Sequence, residues 1–292
     1  MAATSVPIPT RVLVLGMAHE DGTILADELF TVATACGQTA EQVRSCLRRL
    51  VSEGLFVRSG TGRSARFDAT EEGMAALGST LERTRLAYVQ DAAGRGWDRQ
   101  WRLVSFAVPE GRRPARDTLR DRLLQLGGAA LQGGLYVSPH PWHKDVRAVA
   151  DRLGLTGRVS MATTEDLDVG GQRDPRELAR TLWPVDELDR RYRSFVERFA
   201  AVPDVLKGMR RDRRRLLEKE FLPGALSMAV DFQECFNCDP LLPPELLPRP
   251  WAGREARDLV VTSRRLALAA RAAHGRPALF RFFDEAVETI PS

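Results

Sequence analysis

A chain of 292 residues, 43% apolar and 28% charged, has room for two or three cores and the balance of an ordinary globular protein. No apolar run approaches a membrane span, and residues 1–7 lack the basic start and apolar stretch of a secretion signal, so the expected setting is the cytoplasm, with no membrane partner. There the four cysteines stay reduced, which excludes a disulfide framework, while a net charge of +4 permits a nucleic-acid partner without requiring one.

In chain order, residues 9–19 and 24–36 read as two short helices. Thr39 is then an N-cap, with Glu41 and Gln42 supplying a carboxylate and an amide to the first turn of a third helix. Val43, Cys46, Leu47, Leu50 and Val51 recur at the three-and-four spacing of one buried stripe. The opposite face carries Gln42, Ser45, Arg48, Arg49 and Ser52, with Arg44 at its border, and Gly54 stops the helix. Gln pairs with adenine and Arg with guanine in the major groove, so this face suits a DNA-reading helix.

Residues 55–58 and 66–68 then read as two short strands around Ser59-Gly60-Thr61-Gly62-Arg63-Ser64. Two glycines permit a tight tip, and Arg58, Arg63, Ser64 and Arg66 are placed to touch phosphate, as the wing of a winged helix-turn-helix does. The bases between Thr39 and Arg66 are all arginines, against only Glu41 and Glu53. A solvated amphipathic helix beside an ordinary hairpin is the competing interpretation.

The first unit is expected over residues 9–73, followed by a connecting helix over 74–96 with Met74, Leu77, Leu81 and Leu86 as its spine. A middle unit over 97–167 opens with a strand at 102–108, a helix at 113–126, a strand at 131–138 bent at Gly133-Gly134, a helix at 144–153 and a strand at 158–163. This alternation suggests a small ferredoxin-like α+β sandwich, giving an α+β fold class overall. Residues 168–172 form a linker, and residues 172–292 read as a helical C-terminal domain, broken by a Pro-rich turn region at 240–250.

Several motifs test for chemistry. Cys235-x-x-Cys238 lacks a second pair of metal ligands, and His140-x-x-His143 lies in a Pro-rich turn without a carboxylate to complete a shell. The loop at 60–64 lacks the lysine and following helix of a phosphate-binding loop. No catalytic residue, metal ligand or cofactor site is expected, and the chain reads as a non-enzyme. The basic run 207–215 suits phosphates of a ligand or of DNA, and its bland alternative is a solvated helix start. Aromatic residues including Tyr192, Phe195, Phe199, Phe232, Trp251, Phe280, Phe282 and Phe283 suit an aryl or acyl pocket, though such sets more often form core.

These residues together resemble the PaaX-type transcriptional repressors, a family named for control of phenylacetic acid degradation. Trp97-Asp98-x-x-Trp101-x-Leu103-Val104 is similar to the opening of that family's middle domain. Pro109-Glu110, Arg116-Asp117-x-Leu119-Arg120 and Tyr136-Val137-Ser138-Pro139 are similar to its later landmarks. Asp239-Pro240-Leu241-Leu242-Pro243-Pro244-Glu245-Leu246-Leu247-Pro248, then Trp251-x-Gly253-x-x-Ala256, resembles its C-terminal signature.

The resemblance implies a homodimer on a partly palindromic double-stranded operator, released by a small-molecule effector such as an aryl- or acyl-CoA thioester. Tyr192, Arg210, Arg211, Arg214 and Trp251 are the expected ligand residues. One segment departs: where the family often carries His-Glu-aromatic-Arg, donors that suit an anionic ligand, this chain reads Val230-Asp231-Phe232-Gln233-Glu234-Cys235-Phe236-Asn237-Cys238. The alternatives are a metal-dependent nuclease using the ferredoxin-like domain and a non-DNA-binding assembly module. The middle unit resembles in fold the small nucleases of CRISPR adaptation, but their acidic residue at the end of the first strand is not found after Phe106.

Overall fold

The structure is a computed structural model that describes residues 9–212, 218–270 and 279–281. It contains α1 (Thr10–Gly16), β1 (Thr23–Leu25), α2 (Ala26–Ala35), α3 (Ala40–Ser52), β2 (Phe56–Ser59), β3 (Arg66–Ala69) and α4 (Glu71–Ala93). Then follow β4 (Trp101–Phe106), α5 (Arg113–Gln125), β5 (Ala129–Gln132), β6 (Leu135–Ser138), α6 (His143–Arg152) and β7 (Val159–Thr164). The last described helices are α7 (Pro175–Leu182), α8 (Val185–Phe199), α9 (Val202–Arg211), α10 (Glu218–Asn237) and α11 (Ala252–Ala270). Helices and two small antiparallel sheets make the chain α+β.

The chain forms two compact units, one drawn from residues 1–88, 192–236 and 253–292, the other from 89–191 and 237–252. The segment 172–292 thus contributes to both.

In the first unit the stripe of α3 packs on α1 and α2 through Leu13, Leu29, Val43, Leu47 and Leu50, all buried. Each such side chain stabilises the fold by about 1.5–3 kcal/mol of burial. Leu222, Leu226 and Val230 of α10 join the same core. A three-stranded sheet, ordered β1-β3-β2, flanks it, with Ile24 opposite Phe67 and Arg58 opposite Phe67 on the other side. Residues 23–25 are therefore strand where helix is expected from 24 onward: Asp21 accepts the Thr23 amide, and Leu25 is the extended N-cap of α2.

The second unit holds a four-stranded antiparallel sheet in the order β5-β6-β4-β7. One face packs Val104 and Tyr136 against Leu119 and Leu123 of α5 and Val146 of α6. The other packs Trp101 and Val137 against Leu178 and Trp183 around α7 and against Leu242 and Leu246. The expected single strand at 131–138 is instead two strands paired as a hairpin, because Gly134 adopts a φ of 81° and reverses the chain.

Candidate nucleic-acid interface

The exposed helix of the first unit is held at its start by reciprocal hydrogen bonds. The Gln42 amide N–H donates to Thr39 Oγ1 (3.2 Å), and the Thr39 N–H donates to Gln42 Oε1 (2.8 Å). This capping box fixes where α3 begins and engages the amide oxygen of Gln42. Gly54, with φ of 75°, ends the helix and turns the chain into β2. Val51 is 37% exposed instead of buried: at 3.6 residues per turn it lies about 80° round the helix from Val43 and clears the core.

On the outer face Gln42, Arg44, Arg48, Arg49 and Ser52 are exposed and Ser45 is half-buried. Glu41 faces this cluster, taking an ion pair from Arg48 at 3.0 Å and one from Arg44 at 3.6 Å. The hydrogen bond from Arg48, then the charges of both arginines, hold the Glu41 carboxyl below its usual range. Arg44 also lies over the Phe30 ring, 5.8 Å from its centroid. Glu41 reads from sequence only as a helix-start carboxylate, yet it stands three residues before Arg44 and two helical turns before Arg48, the spacing that sets all three on one face.

The loop at 59–64 closes on itself. Gly60 (φ 72°) approaches the Ser64 carbonyl so closely that a Cβ there would lie 2.9 Å from it, and Ser64 Oγ donates to the Thr61 carbonyl at 2.9 Å. Arg66 is tied into the sheet, donating to Asp68 Oδ1 (2.6 Å) and Thr23 Oγ1 (3.0 Å). Arg58 and Arg63 are exposed. Among the described residues, Arg49, Arg58 and Arg63 make no ion pair, whereas Arg44, Arg48 and Arg66 all do. Three cationic side chains on α3 and the adjoining hairpin therefore keep their charge uncompensated.

The expected ligand residues fall in both units. Tyr192 is fully buried in the first unit, its ring 6.4 Å from Phe232, with Phe195 5.7 Å from the same ring. Arg210 and Arg211 are exposed on α9, and Arg211 pairs with Asp212 at 3.5 Å. Trp251 is half-buried in the second unit beside the core containing Trp101. Arg214 lies outside the described residues, as do Phe282, Phe283 and the rest of 213–217. In the variant segment Asp231 pairs with Arg198.

Cys235 is buried and Cys238 exposed, with Arg191 Nη1 3.9 Å from the Cys238 sulfur. His140 Nε2 bonds the Pro240 carbonyl at 3.0 Å, so it fastens the 240–250 segment to the sheet unit. Among the described residues no group of three or more His, Cys, Asp or Glu is arranged to hold a metal ion, and no helix is long and apolar enough to cross a membrane.

The family model "PaaX protein central Cas2-like domain" matches residues 94–179, and "PaaX-like protein C-terminal domain" matches 183–275. The Transcriptional repressor PaaX of Escherichia coli K12 is 26% identical over 268 residues, covering 89% of this chain and 81% of that one. Among solved structures, the uncharacterized protein Rv0674 from Mycobacterium tuberculosis aligns with a TM-score of 0.51 at 21% identity, over 83% of this chain and 88% of that one, a likeness of fold. Two successive family models and the long alignment agree in order along the chain. The chain belongs to the PaaX family.

Proposed function

We propose that this regulator represses transcription by binding a partly palindromic operator as a homodimer and releasing it when a small molecule binds. Its relative is named a transcriptional repressor, and the chain is a regulator rather than an enzyme. In this reading residues 9–73 are a winged helix-turn-helix, 74–96 a connecting helix, 97–167 a ferredoxin-like domain and 172–292 a helical domain that receives the effector. The strand order β5-β6-β4-β7 in a β-α-β-β-α-β sequence supports the middle assignment.

The observation that carries the reading is the uncompensated charge of Arg49, Arg58 and Arg63 on α3 and the hairpin beside it. α3 enters the major groove, where Arg48 and Ser45 face base edges, and Arg49, Arg58 and Arg63 hold phosphates on either side. Two such helices in a dimer sit about 34–36 Å apart, one helical turn of DNA. An effector that binds one dimer geometry better than the other changes that spacing and the operator affinity. Its proposed class is an aryl- or acyl-CoA thioester, whose phosphates suit the exposed Arg210 and Arg211 of α9.

Arg48→Ala tests base reading: it costs about 1–3 kcal/mol on the preferred site and relaxes one base preference. Equal loss on preferred and random DNA contradicts a base contact by this residue.

A further inference from the structure

Gly16 is the last residue of α1 and is buried, at a position where alanine would serve the helix better. A Cβ there would lie 2.8 Å from Cε1 of Phe280, so the glycine makes room for a ring from the far end of the chain. Leu279, next to it, is fully buried in the same core as Leu13, Val14 and Met17. The Phe280 N–H donates to the Gly16 carbonyl, one of the groups that a helix end leaves unpaired. Phe280 holds a φ of 64°, which a bulky residue adopts only where its contacts impose it. The Leu279 carbonyl accepts Arg264 Nη2 of α11 at 2.9 Å. Residues 279–281 thus tie α11 to α1.

Arg281 extends this tie to the turn after α1 and to the first turn of α2. Its Nη2 donates to Glu28 Oε2 at 3.1 Å, and its Nη1 lies 3.3 Å from His19 Nε2. Glu28 Oε2 also meets His19 Nε2 at 2.9 Å. All three side chains are half-buried, so salt screens them less than it screens a surface pair.

Both partners of Arg281 lie on segments that carry the hairpin of β2 and β3. The His19 N–H donates to the Thr23 carbonyl at 2.8 Å and closes the turn that starts β1. Thr23 Oγ1 accepts Arg66 Nη2 at 3.0 Å and donates to Asp68 Oδ1 at 3.2 Å, both on β3. Two residues before Glu28, the Ala26 N–H donates to the Ala65 carbonyl at 3.0 Å, where the loop bearing Arg63 rejoins the sheet. The two ends of the hairpin base are therefore held by the same segments that Arg281 joins.

We propose that Arg281 is a positioning residue for DNA binding: seated on Glu28 and His19, it holds the base of the hairpin so that Arg63 meets phosphate at a fixed place. The claim rests on the DNA contact proposed above for Arg63. It adds that a residue more than two hundred positions away from the helix and hairpin sets how much that contact contributes.

Titrations of the full chain against one duplex, across a series of salt concentrations, test it with Arg281→Ala, Arg63→Ala, the double variant and Glu28→Ala. Each is measured at a temperature where circular dichroism shows it folded, and Arg281→Lys, which keeps the charge and one of the two contacts, replaces Arg281→Ala if that variant does not fold. Arg281→Ala weakens binding about fivefold or more and lowers the salt slope, but by less than about twofold once Arg63 is alanine, because losses at separated residues add unless one acts through the other. A direct phosphate contact by Arg281, or a purely structural role, would leave the two losses additive. Glu28→Ala gives a test of sign: removing a carboxylate by itself favours DNA, whereas releasing Arg281 weakens binding about threefold or more. Additive losses for Arg281→Ala and Arg63→Ala, or tighter binding by Glu28→Ala, overturn the positioning role. A wild type that binds the duplex and gives additive losses removes that role alone, and a wild type that binds no duplex removes the repressor reading with it.

Discussion

The Glu245 carboxylate accepts the Trp97 backbone N–H at 3.3 Å, and the Gly96 N–H lies 3.1 Å from each of its oxygens. Residues 148 positions apart are thereby joined at the mouth of β4. The Glu245 carbonyl in turn accepts Arg176 Nε at 3.0 Å, and Trp101 packs against both Trp97 (5.1 Å) and Trp183 (6.3 Å). The Trp-Asp segment and the Leu-Leu-Pro segment are two halves of one device: the second covers the sheet face that the first opens, and Glu245 locks them. Glu245→Ala removes a half-buried charged acceptor from two amides and lowers stability by about 1.5–3 kcal/mol. Glu245→Gln keeps one acceptor and loses less. Thermal unfolding of both variants checks this, and equal melting of all three proteins contradicts it.

The capping box separates what Gln42 does for the fold from what it does for DNA. Gln42→Glu preserves the reciprocal cap, because glutamate serves at the same helix position, but adds a negative charge to the outward face. Its expected behaviour is wild-type melting with weakened DNA binding. Thr39→Ala loses the cap and about 1 kcal/mol of stability. Unfolding curves alongside DNA titrations distinguish the two.

Glu41 restrains Arg44 and Arg48. Glu41→Gln releases both guanidinium groups and removes a charge repelled by phosphate, so affinity for every duplex rises and its salt dependence steepens. Arg63→Ala does the reverse, lowering affinity uniformly and reducing the salt slope by about one. Titrations across a series of salt concentrations measure both effects.

His143 gives a pH signature. Burial, then the nearby charges of Arg102 and Arg147, pushes its pKa below 6.5, against a hydrogen bond with the Leu103 backbone that pulls upward. The unfolded chain accepts a proton near pH 6.5 while the folded chain resists it. Stability from this group is thus unaffected above 6.5 and declines as pH falls below that value, until the folded histidine also titrates. Urea midpoints of wild type should fall more steeply below pH 6.5 than those of His143→Gln. Parallel profiles would contradict this assignment.

How much of this was written in the sequence differs by element. α3 was legible because its cap, its stripe and its terminal glycine agree on one helix. β1 was hidden: three residues abutting a helix carry no periodicity, and they become a strand only by pairing with β3. The hairpin of β5 and β6 was blurred by two adjacent glycines that suit a bulge or a reversal equally well. The outward arginines could be named from spacing, but not which of them Glu41 and Asp68 occupy, nor that Glu245 meets Trp97. Such pairings between distant or differently spaced residues are properties of the folded chain.

The central claim is that α3 and its hairpin read DNA sequence. The direct measurement selects a preferred site from random duplexes, then titrates that site and a scrambled duplex at moderate salt with wild type and Arg48→Ala. The account predicts an inverted-repeat site bound at least about a thousandfold more tightly than the scrambled duplex, with the margin reduced in the variant. Equal affinity for the two duplexes, unchanged by Arg48→Ala, would contradict it.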